Sequence, residues 1–339
     1  MPLKAYGVLT ARAIARVREG TADSTPHYEI HLSDESGVQY RAAINVQSNQ
    51  APSELLYLVI DEFSHPLLDT ISALPNGWTP LAPGPGGGGL DFIRGNLFPA
   101  NAMRALPPHV EGPDNDLADL LDHYVLRAIE SPGARMHVFG EPWSQPGLPD
   151  PIFGFVPGAG VHDVHMNQGN SADFAGADGP WQDGGLIIRL PESDRWIAVF
   201  LAFQSQAWHT YDTTGHALQT VPEGVSPRPG EVGERMRIVA ALANPAGPSP
   251  EHETVTVINT RAEPVSLAGW AIADRAKERQ SLPDLTVQPG DAVRLDVVPP
   301  VALGNGGGLI TLLDPDGLKV DGVAYSRQAA LADGATIVF

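Results

Sequence analysis

From residue 235 onward the chain is cut by Asn-Pro, Pro-Gly and Asp-Gly pairs into short apolar runs: "RMRIVAALANPAG", "ETVTVINT", "VSLAGWAIAD", "DAVRLDV", "LITLLDPDG" and "VDGVAYS". Each run has the length of a strand and ends in residues that reverse the chain, so an all-β sandwich is the expected result. Trp270, flanked by Leu267 and Ile272, is expected in its core. Upstream, "TVPEGVSPRPGEVGE" (220–234) interrupts the apolar pattern with prolines and glycines, as a linker does. The expected organisation is a first domain over 1–222, a linker over 223–234 and a second domain over 235–339. A chain of 339 residues is long enough for two cores.

Helical signals in the first part are few. "DNDLADLLDHYVLRAIESPG" places Leu117, Leu120, Leu121, Tyr124, Val125, Ala128 and Ile129 at helical spacing, with Asp114 or Asn115 as cap and Ser131-Pro132-Gly133 as stop. "SELLYLVIDEF", from Ser53, is a second helix candidate. Elsewhere, 36 Gly and 32 Pro favour strands and turns. The expected fold class is therefore α+β: an N-terminal mixed domain with a β-sheet core and few helices, followed by an all-β sandwich. The run "APGPGGGGL" lacks the Lys-Ser/Thr of a phosphate-binding loop.

The chain has no cysteine, which excludes disulfides, thiolate metal sites and thiol nucleophiles. It has no apolar run long enough to span a bilayer and no signal-peptide pattern, so a soluble, cytoplasmic protein without membrane association is expected. Its net charge of −19 repels polyanions and disfavours long nucleic acid as a partner unless a cation mediates.

Two resemblances add to this reading. The runs quoted above, with "VQPGDAVRL" and the L-x-GW-x-I-x-D pattern of Leu267–Asp274, resemble a lamin-tail domain. That resemblance implies an immunoglobulin-like sandwich serving as an accessory module, able to bind a protein partner and supplying no catalytic residue. In bacteria such modules accompany hydrolases and nucleases. In the first part, "YGVLTARAI", "PHYEIHL", "LDFIRGNLF", "GPDNDLADLLD", "GVHDVHMNQGN" and "WQDGGLIIRLP" occur in an order that resembles the YukJ-like family. That family brings no activity with it.

Candidate chemistry is concentrated in "GVHDVHMNQGN" (160–170). His162 and His165 share a side of a turn or helix but oppose each other on a flat strand. With Asp183, and with His209 and Asp212 downstream, they form a candidate metal-ligand set. Imidazole with carboxylate suits zinc, manganese or iron, with magnesium also admitted, and such an ion would activate water for hydrolysis. Without a metal, His162 or His165 would act as general acid or base, oriented by Asp183, while Asn167 or Gln168 stabilises an anion. A loop that only satisfies backbone groups has the same composition. His27 and His31 share one face if "PHYEIHL" is a strand, and rank below these residues. The expected function is hydrolysis, with a small or polymeric phosphodiester as substrate by association with the accessory module. The alternative is a non-catalytic ligand- or polymer-binding protein.

Overall fold

A computed structural model describes residues 6–19, 27–46, 55–81, 90, 92, 95–98, 102–106, 112–142, 147–166, 184–203, 236–247 and 252–339. The chain divides into two compact units. The first comprises residues 1–63, 70–90 and 103–206; the second comprises 64–69, 91–102 and 207–339.

In chain order the elements up to residue 203 are β1 (Gly7–Arg18), β2 (His27–Ser33), β3 (Gln39–Asn45), β4 (Leu55–Ile60), α1 (Leu67–Ser72), β5 (Gly77–Pro80), β6 (Arg104–Ala105), α2 (Leu117–Glu130), β7 (Arg135–Pro142), β8 (Asp163–His165), β9 (Gly184–Leu190) and β10 (Arg195–Phe203). Sheets dominate and described helices are few, in keeping with the expected class. The run at 55–60 is a strand where a helix was expected. Leu55–Phe203 through Ile60–Ala198 pair antiparallel with β10, and β6 pairs on the other side. Six consecutive apolar residues carry no period that separates strand from helix, and the ladder on both sides decides.

The strands form a ten-stranded sheet that closes on itself at one end. β1 pairs with β2, β2 with β3, β3 with β8, β8 with β7, and β7 again with β1. The twelve-residue β1 makes this closure possible. Its first half lies between β5 and β7, its second half pairs with β2, and a register shift at Ala13/Ala15 separates the two. Closing the circuit leaves no open edge among these five strands.

One face of the sheet carries Leu9, Ile30, Ile44, Val138, Ile188 and Val199, all fully buried together with Leu121 and Val125 of α2. The helix forms where the i, i+4 spacing predicts. Its cap is Asp116, not Asp114 or Asn115: the Asp116 carboxylate accepts the Asp119 N–H, while Asp114, two residues earlier, adopts a left-handed backbone. Arg16 and Arg18 of β1 pair with Asp119 and Asp122 of α2 at 2.6–3.1 Å, and the Tyr28 hydroxyl donates to Asp122. Those contacts fix the helix across β1 and β2.

The second unit contains β11 (Met236–Leu242), β12 (Thr254–Asn259), β13 (Val265–Ser266), β14 (Ala271–Ala273), β15 (Arg279–Ser281), β16 (Thr286–Val287), β17 (Ala292–Asp296), β18 (Gly307–Leu313), β19 (Lys319–Ser326) and β20 (Ile337–Val338). Two four-stranded antiparallel sheets, β17-β12-β11-β20 and β15-β14-β18-β19, share one core that includes Ile238, Val257, Ile272 and Leu312. Trp270 packs against that core, as expected. Among the described residues no helix is long and apolar enough to cross a membrane.

The seat of β8 depends on two glycines. A Cβ on Gly140 would collide with the His165 carbonyl, and one on Gly184 with the Met166 carbonyl. Neither obstacle is a flexible side-chain end, so the backbone itself would have to shift. Gly140→Ala is expected to destabilise the first unit by about 2 kcal/mol or more in urea denaturation. Gly158→Ala, whose nearest neighbour would be the His162 ring at 3.8 Å, should change it little.

Candidate functional site

The sheet face opposite α2 is polar where β2, β3, β8 and β7 lie side by side. Strand alternation puts His27, Glu29 and His31 on this face of β2, Arg41, Ala43 and Asn45 on β3, and Asp163 and His165 on β8. Register sets them in rows: His27 opposite Asn45, Glu29 opposite Ala43 and then His165 and Glu141, His31 opposite Arg41 and then Asp163. Glu19, just past the end of β1, reaches the same place. Its carboxylate accepts the His27 N–H at 3.0 Å and lies 3.1 Å from His27 Nδ1.

Arg41 organises the cluster. Its guanidinium pairs with Glu29 at 3.1 Å, with Asp150 at 2.8 Å and with Asp163. Burial alone would lower the Arg41 pKa, but attraction to Asp163, Glu29 and Asp150 outweighs it and holds the group above its ordinary value. Asp150 belongs to the stretch between β7 and β8. There Phe153 and Phe155 stack on His31, with ring centroids 4.6 and 5.3 Å away.

Glu29 is only 1% exposed, and its Oε1 faces Arg41 while its Oε2 is buried with no hydrogen-bond partner among the described residues. Burial, opposed by Arg41, raises its pKa to about 8, so the carboxyl is largely protonated at neutral pH. Burial and the neighbouring His165 lower the pKa of His27, against the pull of Glu19. The ligand atoms of Glu19, His27 and Glu29 all lie within 4.8 Å of one another. Beside them, the His27 and His165 rings meet edge-on at 5.4 Å, and His165 Nε2 lies 3.5 Å from Asp163 Oδ1. Burial also raises the pKa of Glu141, opposed by His165. Ala43, opposite both Glu29 and His165, contributes only a methyl group. The cluster therefore offers two carboxylates and an imidazole to a cation, with a second imidazole alongside.

Of the described residues singled out from sequence, His165 and the lower-ranked His27 join this cluster. His162 occupies the other face of β8's approach, as two histidines three apart must on a strand. Its ring stacks on Tyr40 at 5.3 Å and its nitrogens face the backbone carbonyls of Gln39 and Ala159 at 2.8 and 3.2 Å. It holds the backbone beside β3 and does not share a site with His165. Asn167, Gln168, Asp183, His209 and Asp212 lie outside the described residues. His27 and His31 do share a face, as the strand reading required, and His27 ranks higher than sequence placed it. Glu19, Glu29, Arg41 and Asp163 were not singled out. The one signal in reach was the alternation of His27, Glu29 and His31 in an apolar strand, where a buried carboxylate needs a partner.

In comparison with known proteins, residues 1–215 match the family model described as "Uncharacterized conserved protein (DUF2278)". Over 221 residues the chain is 38% identical to the "Uncharacterized protein YukJ" of Bacillus subtilis (strain 168), a stretch covering 65% of this chain and 96% of that protein. No solved structure matches. The family match contains every residue of the polar cluster and ends before β11.

The raised pKa of Glu29 has a defined consequence for stability. The folded state holds a proton that the unfolded chain releases near pH 4.5, so this contribution is present in acid and is lost as pH rises through about 8. With chelator present, wild type should lose on the order of a few kcal/mol between pH 5 and 8.5 relative to Glu29→Gln, measured by urea denaturation. Parallel stability profiles for the two proteins would show that Glu29 carries no such proton.

Proposed function

The chain belongs to the DUF2278 family, and on that premise we propose that its first unit is a divalent-metal-dependent hydrolase, the ion held by Glu19, His27 and Glu29. The observation that carries this reading is the Glu29 Oε2 atom, a buried carboxyl oxygen with no hydrogen-bond partner among the described residues. Two carboxylates and one imidazole suit zinc, manganese or iron, and magnesium less well. A bound ion would supply Lewis acidity and water activated near neutral pH.

The remaining residues have roles that follow from their placement. His165, next to His27, is positioned to accept a proton from attacking water and return it to a leaving group, with Asp163 orienting its ring. Arg41 holds Glu29 by one oxygen and leaves the other for the ion. Phosphodiesters remain the proposed substrate class, with the cation offsetting the acidic surroundings. We read the second unit as a lamin-tail domain of immunoglobulin-like topology, an accessory module with capacity for a protein partner.

A competing reading is a polar network that only ties β2, β3 and β8 together, favoured by the engagement of Arg41 with three carboxylates. The two readings separate experimentally. Protein purified without a His tag and dialysed against zinc, manganese or iron should retain about one ion per chain. His27→Ala and Glu29→Ala should lose it, and chelation should abolish hydrolysis of bis(p-nitrophenyl) phosphate. His165→Ala should keep the ion while turnover falls by about 10²–10⁴. Wild type that retains no ion under any of these conditions would eliminate the metal-dependent reading.

A further inference from the structure

Residues 64–69 and 91–102 precede the C-terminal strands by more than a hundred positions, yet they belong to the second unit. Asn96 is the residue that enters its sheet. It is 2% exposed and adopts a left-handed backbone, with φ 50°. Its side-chain amide nitrogen lies 3.1 Å from the Ile310 carbonyl, 3.1 Å from Thr311 Oγ1 and 3.2 Å from the Val323 carbonyl. Its Oδ1 accepts from Lys319 Nζ.

The receiving surface is shaped for this approach. Ile310 pairs with Val323 and Thr311 with Gly322 across β18 and β19, so the amide spans one step of the ladder. A Cβ on Gly322 would collide with Asn96 Oδ1. Lys319, 9% exposed, presents its ammonium from inside the unit. At Gly307, also on β18, an added Cβ would meet the ring of Pro66 at 3.3 Å. His65 joins the two excursions: its Nε2 lies 2.9 Å from the Gly95 carbonyl and its Nδ1 accepts the Leu67 N–H. Burial lowers the His65 pKa to about 4, so the ring stays neutral at physiological pH.

A primary carboxamide has one oxygen that accepts and one NH₂ that donates twice. The β18–β19 face supplies a cationic donor for the oxygen, and two carbonyls and a hydroxyl for the nitrogen. A carboxylate of the same shape would set a second oxygen against those carbonyls. A hydrocarbon would remove the Lys319–Asn96 hydrogen bond and leave the carbonyls without their donor.

We propose that the β18–β19 face is a carboxamide-specific recognition site, that its occupant is the chain's own left-handed turn at residues 95–98, and that Asn96 determines its specificity. The second unit thus recognises a piece of the family region by side-chain chemistry as well as by shape. This inference is independent of the metal reading.

The test is amide hydrogen exchange by mass spectrometry on the full-length protein, read in peptides spanning 307–326 and 64–69. Asn96→Asp, which preserves shape, should speed exchange there tenfold or more, as should Asn96→Leu and Lys319→Met. The double variant Asn96→Leu/Lys319→Met removes both partners of the Lys319–Asn96 hydrogen bond, and should exchange more slowly than the two single effects combined predict. If Asn96→Asp fails to accumulate as folded protein, Thr311→Val removes one acceptor only and is read in the same peptides. Unchanged exchange in Asn96→Asp, or in Thr311→Val where that variant stands in, would overturn the proposal. Strictly additive single and double effects would also overturn it, by showing that the turn is held by shape alone.

Discussion

The guanidinium of Arg41 is the point on which the polar face of the first unit turns. A buried cation must be compensated, and breaking such a cluster by removing one member typically costs several kcal/mol, because the remaining charges are stranded. Here Asp163 on β8 and Asp150 in the segment between β7 and β8 compensate the charge, and Glu29 on β2 accepts a further hydrogen bond. A single side chain thereby links a local hairpin to a strand that arrives 122 residues later. The same attraction uses one oxygen of Glu29 and leaves the other buried, with no hydrogen-bond partner among the described residues.

That arrangement accounts for the ionisation of the site. Arg41 lowers the Glu29 pKa but does not offset the desolvation that raises it, so the carboxyl keeps its proton without a further positive charge. A divalent ion would displace that proton, making ion affinity and pH interdependent. His27, poised toward its neutral form by burial and by His165, offers a lone pair instead of a charge.

Legibility from sequence followed the range of the interactions. The α2 helix was readable because Leu117, Leu121 and Val125 recur every four residues, although its cap moved to Asp116. The strands after residue 236 were readable because Asn-Pro, Pro-Gly and Asp-Gly pairs mark where each run must reverse. The run at 55–60 was misread because its six apolar residues carry no period, and the β10 ladder that decides it lies about 140 residues away. The site failed for the same reason. His162 and His165 looked like partners because they are close in sequence, whereas β8 runs parallel to β3 and sends them to opposite faces. Glu19, Glu29, Arg41 and Asp163 become neighbours only through three strand registers, none of which leaves a local mark.

The glycines of the closed circuit connect this register to the site. β8 has three residues and pairs with β3 on one side and β7 on the other, which is little hydrogen bonding to hold a strand in place. Its position is instead enforced sterically, since Gly140 and Gly184 alone admit the His165 and Met166 carbonyls. A one-residue slip of β8 would send Asp163 and His165 to the core side and bring Val164 to the polar face. That slip would bury two titratable groups among hydrocarbon and strand Arg41 without one of its carboxylates. The register is thus selected twice, once by backbone clearance and once by charge. Both selections place His165 beside His27, so the geometry that a reaction would require is also the one that the fold most strongly prefers.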